Sequence, residues 1–261
     1  MRRLIVQPGA VTDNRIHITD KDDIMYLSGV LRMKAGDKLL VSDGAGRSWE
    51  TNIKEVSRSG IELEILSENH VYEYVKTKVT LYQALPKGAK MDEIVRKATE
   101  LGVFRIVPVK TARVETGSSS TSALKLERWH RIAREASKQS MRLRVPDISG
   151  LLEFTEAAAR LKDAGFDLIL APYELEEERT LKQALRESIA SADTAILCRA
   201  QGVDEKPLSI AVFIGPEGGF ESAEIDRLVA EGAVPVTLGD TILRTETAGP
   251  ATVAMILYEF S

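Results

Sequence analysis

The chain has 261 residues, 44% hydrophobic and 28% charged, with a formal net charge of −4, which is typical of a globular protein with one large or two small domains. Its longest apolar runs, such as AVFI and LILA, are too short to cross a bilayer, and a single cysteine, Cys198, excludes an internal disulfide framework. The N-terminus lacks the pattern of a signal peptide and the three histidines lack ligand spacing, so we expect a cytoplasmic protein with no membrane association and no metal site.

The first part of the chain, residues 1–72, predicts a small all-β domain. Apolar and polar residues alternate on both sides of Asp43 and Gly44, which indicates a β-hairpin, and the segment GIELEIL adds a strand of period two. The segment KDDIMYLSGVLRM has the apolar spacing of a short helix. These patterns indicate a barrel or sandwich that ends within SENHVYEYVKT.

The second part, residues 73–261, changes to an α/β pattern. Helical patterns separate most of its short apolar strands, which favours a mostly parallel sheet covered on both faces. The predicted strands are KVTLYQAL, VFRIVPV, FDLILA, TAILC, SIAVFIG and AVPVTLG. The predicted helices are KMDEIVRKATELG, KLERWHRIAREASKQSM, LEFTEAAARLKDAG, RTLKQALRESIA, ESAEIDRLVAEG and TAGPATVAMILYEF.

Positive charge is concentrated in residues 87–144. This segment holds 14 Lys and Arg residues against 6 Asp and Glu, while the rest of the chain holds 21 against 33. The asymmetry favours a polyanion-binding face on an otherwise acidic protein; the alternative is an ordinary solvated helix face. Because much of the excess is arginine, which pairs well with phosphate, nucleic acid is the expected partner.

The segment SIAVFIGPEGGF, residues 209–220, joins a buried strand to a glycine-rich loop. In a parallel sheet, ligands lie beyond the carboxyl ends of the strands. Gly215, Gly218 and Gly219 allow a backbone to approach a ligand closely, although such a loop is equally typical of a mere turn. The chain has neither GxGxxG nor a phosphate-loop lysine, which argues against a dinucleotide or a nucleoside triphosphate.

A second strand end is followed by LGDTILRTETAGPA, which leads into the last predicted helix. Arg244 and Glu246 are its candidate functional residues, and either Thr245 or Thr247 is expected to cap the helix, with the Gly-Pro pair in its first turn. The alternative is a structural Arg244–Glu246 ion pair beside a routine cap.

Four motifs, in order KG-x-KMDEIVRKATELGV, RIAREASKQSMR-x-x-VP, GPEGG and LG-x-x-ILRTETA, closely resemble the RsmE family of 16S ribosomal RNA uridine-N3 methyltransferases in the SPOUT superfamily. The resemblance covers essentially the whole chain. It implies a PUA-like RNA-binding barrel over residues 1–72 and a SPOUT α/β methyltransferase domain over 73–261, with a deep C-terminal trefoil knot. It also implies a homodimer, S-adenosylmethionine as cofactor, and N3 of uridine 1498 of 16S rRNA, within the small ribosomal subunit, as target.

The resemblance also assigns roles to individual residues. The implied cofactor site comprises the glycine-rich loop, an apolar adenine slot and the loop after DLILA, that is Ala171, Pro172, Ile214, Gly215, Pro216, Glu217, Gly218, Gly219, Leu238, Gly239, Ile242, Leu243, Thr245, Thr247 and Ala248. The implied RNA contacts are Arg2, Arg3, Arg32, Lys87, Lys90, Arg96, Lys97, Arg113, Arg134, Gln139, Arg142 and Arg144.

Methylation at N3 of uridine requires that a weakly acidic proton be removed, or that the resulting anion be stabilised. Arg244 is the candidate cation, and Glu217 and Glu246 are the candidate bases. The other interpretation of both carboxylates is structural ion pairing. Because N3 lies on the pairing edge of the base, the target must be unpaired or flipped out.

Three other functions fit parts of the sequence. A ribose 2′-O methyltransferase would share the superfamily but lacks its usual motifs here. A non-catalytic RNA-binding or ribosome-assembly factor would not require intact GPEGG and ILRTETA motifs. A nucleotide-binding α/β enzyme would require a phosphate loop, which the sequence does not have.

Overall fold

The computed structural model describes residues 2–6, 9–57, 59–69, 76–114, 123–190 and 207–260. The chain divides into two compact units, Met1–Tyr74 with Ser137–Val145 and Val75–Ala136 with Pro146–Ser261. The domain boundary between residues 72 and 73 stays a prediction. The predicted strand TAILC, which contains Cys198, lies outside the described residues.

The first unit contains a six-stranded sheet in the order β1-β4-β5-β6-β3-β2. Only the β1–β4 pair is parallel, and the predicted hairpin is confirmed, since β4 and β5 pair antiparallel with Ser42 opposite Ser48. The strands are β1 (Arg2–Ile5), β2 (Val11–Thr12), β3 (Arg15–Ile18), β4 (Lys38–Ser42), β5 (Ser48–Val56) and β6 (Ile61–Asn69).

The predicted short helix of this unit is confirmed as α1 (Lys21–Met25), which continues as a π-helix over Tyr26–Val30. The Asp20 carboxylate caps α1 by accepting hydrogen bonds from the backbone N–H groups of Asp22 and Asp23. Residues 137–145 belong to the same unit because Ser42 Oγ donates to the Leu143 carbonyl at 2.6 Å.

The described strands of the second unit form a seven-stranded sheet in the order β10-β8-β7-β12-β11-β13, with β9 also paired to β8. Every pair is parallel, as the sequence predicts. All carboxyl ends therefore lie at one edge. The strands are β7 (Thr77–Ala84), β8 (Arg105–Lys110), β9 (Asp147–Ile148), β10 (Leu152–Glu153), β11 (Leu168–Pro172), β12 (Leu208–Ile214) and β13 (Val234–Val236).

The helices of the described residues confirm the predicted helical segments, and α4 is shorter than its pattern suggests. They are α2 (Lys90–Leu101), α3 (Ala123–Gln139), α4 (Phe154–Ala159), α5 (Leu181–Ala190), α6 (Ser222–Ala230) and α7 (Thr245–Glu259). The last helix packs against α2 and strand β7. In the centre of the sheet, the Tyr82 and Phe213 rings stack with centroids 4.3 Å apart. None of the described helices has the length and hydropathy needed to span a bilayer.

Candidate active site

Two loops leave the carboxyl edge of the parallel sheet and define the candidate site. The first edge loop, residues 215–219, follows β12, and the second edge loop, residues 238–244, lies between β13 and α7. Strand β11 lies between β12 and β13 in the sheet, so its own continuation enters the same region.

Gly219 is the point at which the first edge loop meets the continuation of β11. Its φ is +69°, and a Cβ built there would lie 1.9 Å from Oε1 of Glu174. A side chain at this position would therefore meet both backbone strain and the Glu174 carboxylate. The resemblance places Glu174 at the end of the loop after DLILA, residues 171–174, which is expected to form a third wall of the cofactor site, but it does not predict the contact with Gly219.

The N-terminus of α7 is bonded to the first edge loop through Thr245. Thr245 Oγ1 donates to the Gly215 carbonyl at 2.7 Å and accepts from Gln83 Nε2 at 2.9 Å. The predicted threonine cap is therefore wrong, because the N-cap is Arg244 and the Thr245 hydroxyl is used elsewhere. The Gly-Pro pair is also not in the first turn, since Pro250 is the sixth residue of the helix.

A lysine links the two candidate catalytic carboxylates. Lys90 Nζ donates to Glu217 Oε1 at 2.8 Å and lies 3.4 Å from Glu246 Oε2. The Glu217 and Glu246 side chains are 25% and 13% exposed. The sequence predicts Lys90 as an RNA contact, and its ammonium group already has two acidic neighbours from the loop and from α7.

This arrangement shifts two pKa values in opposite directions. Burial would raise the pKa of Glu217, but hydrogen bonds from Lys90 Nζ and from backbone N–H groups outweigh it and hold that pKa below its usual range. The hydrogen bond to Glu217 is the main reason that the pKa of Lys90 is raised. Both groups are therefore charged at neutral pH.

Two further contacts hold the first edge loop. The Lys87 backbone N–H donates to Glu217 Oε1 at 3.1 Å, and Arg113 Nη1 donates to the Gly218 carbonyl at 2.5 Å. Lys87 and Arg113 are predicted RNA contacts, so together with Lys90 the structure brings three members of that set to the loop.

The second edge loop is held much less firmly. Ile242 is 85% exposed and Arg244 is also exposed. Within the described part of the chain, the side chains of residues 240–244 make no hydrogen bond or ion pair, so the alternative Arg244–Glu246 pair is not formed there. Leu238 and Leu243 of the same loop are partly buried.

The N-terminus of α6, which follows the first edge loop, is occupied by a carboxylate of the chain itself. Glu224 accepts from the backbone N–H groups of Ala112 and Glu221, both at 2.9 Å. A helix N-terminus is a common phosphate site, but this one already has its anion. A phosphate group of a ligand is therefore not favoured at this helix end.

The other predicted RNA contacts lie at several places. In the first unit, Arg2 donates to the Leu31 carbonyl and Arg3 to the Met141 carbonyl. On α2, Arg96 is exposed and Lys97 pairs with Glu93 at 2.6 Å. The remaining members are exposed or partly exposed, namely Arg32, Arg134, Gln139, Arg142 and Arg144.

Gln83 is a residue of the site that the motifs of the sequence do not reveal. It is fully buried in β7, and its amide contacts the N-terminus of α7. The available signal is the single polar residue inside the apolar strand LYQAL, since a buried amide requires hydrogen-bonding partners.

Comparison with known proteins supplies the family. A family model described as an RNA methyltransferase domain matches residues 73–257, and one described as an RNA methyltransferase PUA domain matches residues 18–66. Ribosomal RNA small subunit methyltransferase E of Bacillus subtilis is 30% identical over 239 residues, which cover 91% of this chain and 88% of that protein. The protein of that name from Synechocystis sp. is 32% identical over 97% of this chain and 76% of its own length.

Solved structures agree with this assignment. The crystal structure of ribosomal RNA small subunit methyltransferase E from Neisseria gonorrhoeae, bound to S-adenosylmethionine, matches with a TM-score of 0.71 and 26% identity over 99% of this chain and 97% of that one. A Legionella pneumophila structure with bound S-adenosylmethionine matches with a TM-score of 0.72 and 25% identity, over 98% and 96% of the two chains. The chain therefore belongs to the ribosomal RNA small subunit methyltransferase E family, the RsmE family that its motifs resemble.

Proposed function

We propose that this chain transfers a methyl group from S-adenosylmethionine to N3 of one uridine of 16S rRNA in the small ribosomal subunit. The observation that carries the proposal is the pair of edge loops, which bring a glycine-rich backbone, apolar side chains and Arg244 to one edge of the sheet. Family membership supports the reaction class, and the Neisseria relative binds the proposed cofactor. The identity of the uridine, position 1498, follows the family.

The residues at this edge fit S-adenosylmethionine. Gly215 and Gly219 add no side chains of their own to the loop, while Leu238, Ile242 and Leu243 offer apolar surface for an adenine ring. The Glu224 carboxylate already occupies the N-terminus of α6, which suits a cofactor that has no phosphate group. We assign the cofactor to the space between the two loops, with Pro172 and the segment after it as a third wall.

When bound, S-adenosylmethionine supplies an electrophilic methyl group, so the protein must position it and make uridine N3 nucleophilic. Arg244 is exposed and its side chain makes no hydrogen bond or ion pair within the described residues, so its guanidinium remains available to an incoming base. A cation beside the uracil carbonyls stabilises the N3 anion and thereby lowers the pKa of the N3 proton.

The two candidate bases receive different roles. Glu217 is bonded to Lys90 and Lys87 and its pKa is lowered, which makes it a weaker proton acceptor, so we assign it to holding the first edge loop. Glu246 is held less closely, because Lys90 Nζ lies 3.4 Å from its Oε2 but 2.8 Å from Oε1 of Glu217. We assign Glu246 as the acceptor of the N3 proton.

RNA binding, assembly and location complete the proposal. The match of a PUA domain supports RNA binding by the first unit, and the positive charge of residues 87–144 supports RNA binding by the second. Met255 and Tyr258 on α7 are 42% and 83% exposed, which supports burial of this helix in a homodimer. A trefoil knot around the edge loops and a cytoplasmic location are proposed on family grounds.

Primer extension on small-subunit rRNA, with and without S-adenosylmethionine, tests the proposal. A methyl group on N3 blocks base pairing, so one cofactor-dependent stop at a decoding-region uridine is expected, and none with the Arg244→Ala variant. Naked rRNA and assembled subunits serve as separate substrates. A stop seen only at low nucleotide concentration would indicate ribose methylation instead. Intact cofactor binding with no stop on either substrate would contradict methylation of this RNA.

A further inference from the structure

A buried chain of hydrogen bonds reaches the first edge loop from the middle of the sheet. It runs from the Gln83 amide on β7, through the Thr245 hydroxyl on α7, to the Gly215 carbonyl at the end of β12. Gln83 has no exposed surface and Thr245 is 5% exposed. These hydrogen bonds therefore join three separate elements, and they are buried at Gln83 and Thr245 and partly exposed at Gly215.

The chemistry of the three groups determines which atom donates in each of these hydrogen bonds. A carbonyl oxygen only accepts, so the one hydroxyl proton of Thr245 is used on Gly215. The hydroxyl oxygen must then accept from Gln83, which requires that Nε2 rather than Oε1 face it. Nε2 also donates to the Ala84 carbonyl at 3.1 Å, which holds the amide in that orientation.

The other end of the amide shows how tightly Gln83 is seated. Its Oε1 is buried and has no hydrogen-bond partner within the described residues. A Cβ built on Gly249 of α7 would lie 2.7 Å from this oxygen, so the helix approaches the amide as closely as a glycine allows. Burying an oxygen without a hydrogen-bond partner is unfavourable. It is tolerated here because the Nε2 group of the same amide donates to two acceptors.

We propose that Gln83 is a positioning residue for methyl transfer, which holds the Thr245 hydroxyl so that it fixes the Gly215 carbonyl and with it the start of the first edge loop. The inference rests on the proposed function, because it assigns that loop to the cofactor. It also changes the role of Thr245, whose hydroxyl bonds the protein rather than the cofactor. Gln83 touches no reacting atom.

Calorimetric binding of S-adenosylmethionine to four variants tests the proposal. Thr245→Ser keeps the hydroxyl, whereas Thr245→Val replaces it with a methyl group of nearly equal size. Gln83→Met keeps the length of the side chain without its amide, and the fourth variant combines Gln83→Met with Thr245→Val. Thermal unfolding of each variant, measured in parallel, reports the purely structural consequence.

We expect Thr245→Ser to bind the cofactor within about twofold of the unmodified chain, and Thr245→Val and Gln83→Met to bind roughly tenfold more weakly, as for one lost buried hydrogen bond. Because both single changes break the same series of hydrogen bonds, the double variant should bind about as weakly as Thr245→Val alone. Turnover at saturating cofactor should change less than affinity does.

Two results would overturn the inference while leaving the proposed function intact. One is equal affinity of Thr245→Val and Thr245→Ser, with only the unfolding temperature lowered. The other is unchanged affinity of Gln83→Met, or full additivity in the double variant. If Gln83→Met does not fold, the two Thr245 variants still decide the matter. Failure of the unmodified chain to bind S-adenosylmethionine would instead contradict the proposed function.

Discussion

The two edge loops leave the same side of one parallel sheet, yet they are held very differently. The first edge loop, residues 215–219, is bonded to the N-terminus of α7, to the segment before α2 and to Arg113. The second edge loop, residues 238–244, has an exposed isoleucine and an exposed arginine, and its side chains after Gly239 make no polar contact within the described residues.

This difference indicates how one site can combine fixed and adjustable parts. A preformed loop binds a ligand at low cost in conformational entropy, because little of it must be ordered on binding. A loosely held loop can close over the ligand and then present a side chain to a second substrate. We therefore propose that the first edge loop positions the cofactor. The second edge loop then closes and presents a side chain to the RNA base.

The largest effect is expected from Arg244→Ala in the second edge loop. Removal of the only cation of residues 238–244 should lower methyl transfer by about 10²–10³-fold, in line with the loss of one electrostatic stabiliser of a transition state. Because the side chain is exposed and makes no hydrogen bond or ion pair within the described residues, stability should change by less than about 0.5 kcal/mol.

Arg244→Lys is the matched control, since it keeps the charge but not the planar guanidinium. Rates from a methyl-transfer assay and melting curves of both variants give the comparison. Full activity of Arg244→Ala would remove this residue from the mechanism and leave the second edge loop without a catalytic role.

A smaller effect is expected from Lys90→Met, which leaves Glu217 and Glu246 without their shared cation. Release of the first edge loop should weaken S-adenosylmethionine binding roughly tenfold, as for a lost hydrogen bond to a charged group. Lys97→Met is the matched control, because that lysine lies on the same helix and forms only an exposed pair with Glu93.

Calorimetry on both lysine variants measures the difference. If the two variants bind the cofactor equally well, the contacts of Lys90 with Glu217 and Glu246 do not hold the first edge loop. The difference between the two edge loops would then depend on the bonds made by Thr245 and Arg113 alone.

The third expected effect concerns the glycine at the end of the first edge loop. Gly219→Ala should destabilise the fold by about 1–2 kcal/mol, because its φ of +69° is unfavourable for a residue with a Cβ. It should also weaken cofactor binding, since the new methyl group must displace the Glu174 carboxylate.

Gly232→Ala provides the control. Its φ is +92°, and a Cβ there meets nothing within 4 Å. An alanine at this position therefore has the backbone strain but no contact like that with the Glu174 carboxylate. Melting curves should show similar losses for both variants, while only Gly219→Ala changes cofactor affinity. Equal cofactor affinity in the two variants would separate Gly219 from the site.

The smallest expected effect is on pH dependence, through Glu217→Gln. The folded-state pKa of Glu217 lies below its ordinary value of 4.5, so its ionised form stabilises the protein above about pH 4.5 and that contribution is lost as the pH falls through the folded pKa. Because the carboxylate is partly exposed, the effect should stay below about 1 kcal/mol.

Melting temperatures of the unmodified chain and Glu217→Gln, measured from pH 3 to pH 7, should differ most at the neutral end and converge in acid. A difference that grows as the pH falls would show that the carboxylate is not held in its ionised form.

The order and type of most elements were predictable, because apolar residues recur with a clear period in strands and helices of this length. The hairpin at Asp43, the parallel sheet and the long helices follow from alternation and from helical spacing. Strands β9 and β10 were not predictable, since two residues each are too few to show a period. The place of residues 137–145 in the first unit depends on contacts with residues about 100 positions away, such as Ser42 Oγ to Leu143.

The site shows the same limit. The glycine loop and Arg244 stand out as motifs, and the RsmE assignment was correct from the motifs alone. The partners of Lys90 were not predictable, because helical position identifies an exposed cation but not the acids it meets from residues 217 and 246. The hydroxyl of Thr245 suited a helix cap equally well, and only the fold brings it to Gly215.

Backbone amide hydrogen exchange with and without S-adenosylmethionine tests the central claim most directly, because it reports both edge loops at once. We expect the Gly219 amide of the first edge loop, which donates to the Pro216 carbonyl, to be protected already in the free protein, and residues 238–244 to gain protection only when the cofactor is present. Unchanged exchange in both loops at saturating cofactor would contradict the assignment of the cofactor to this edge of the sheet.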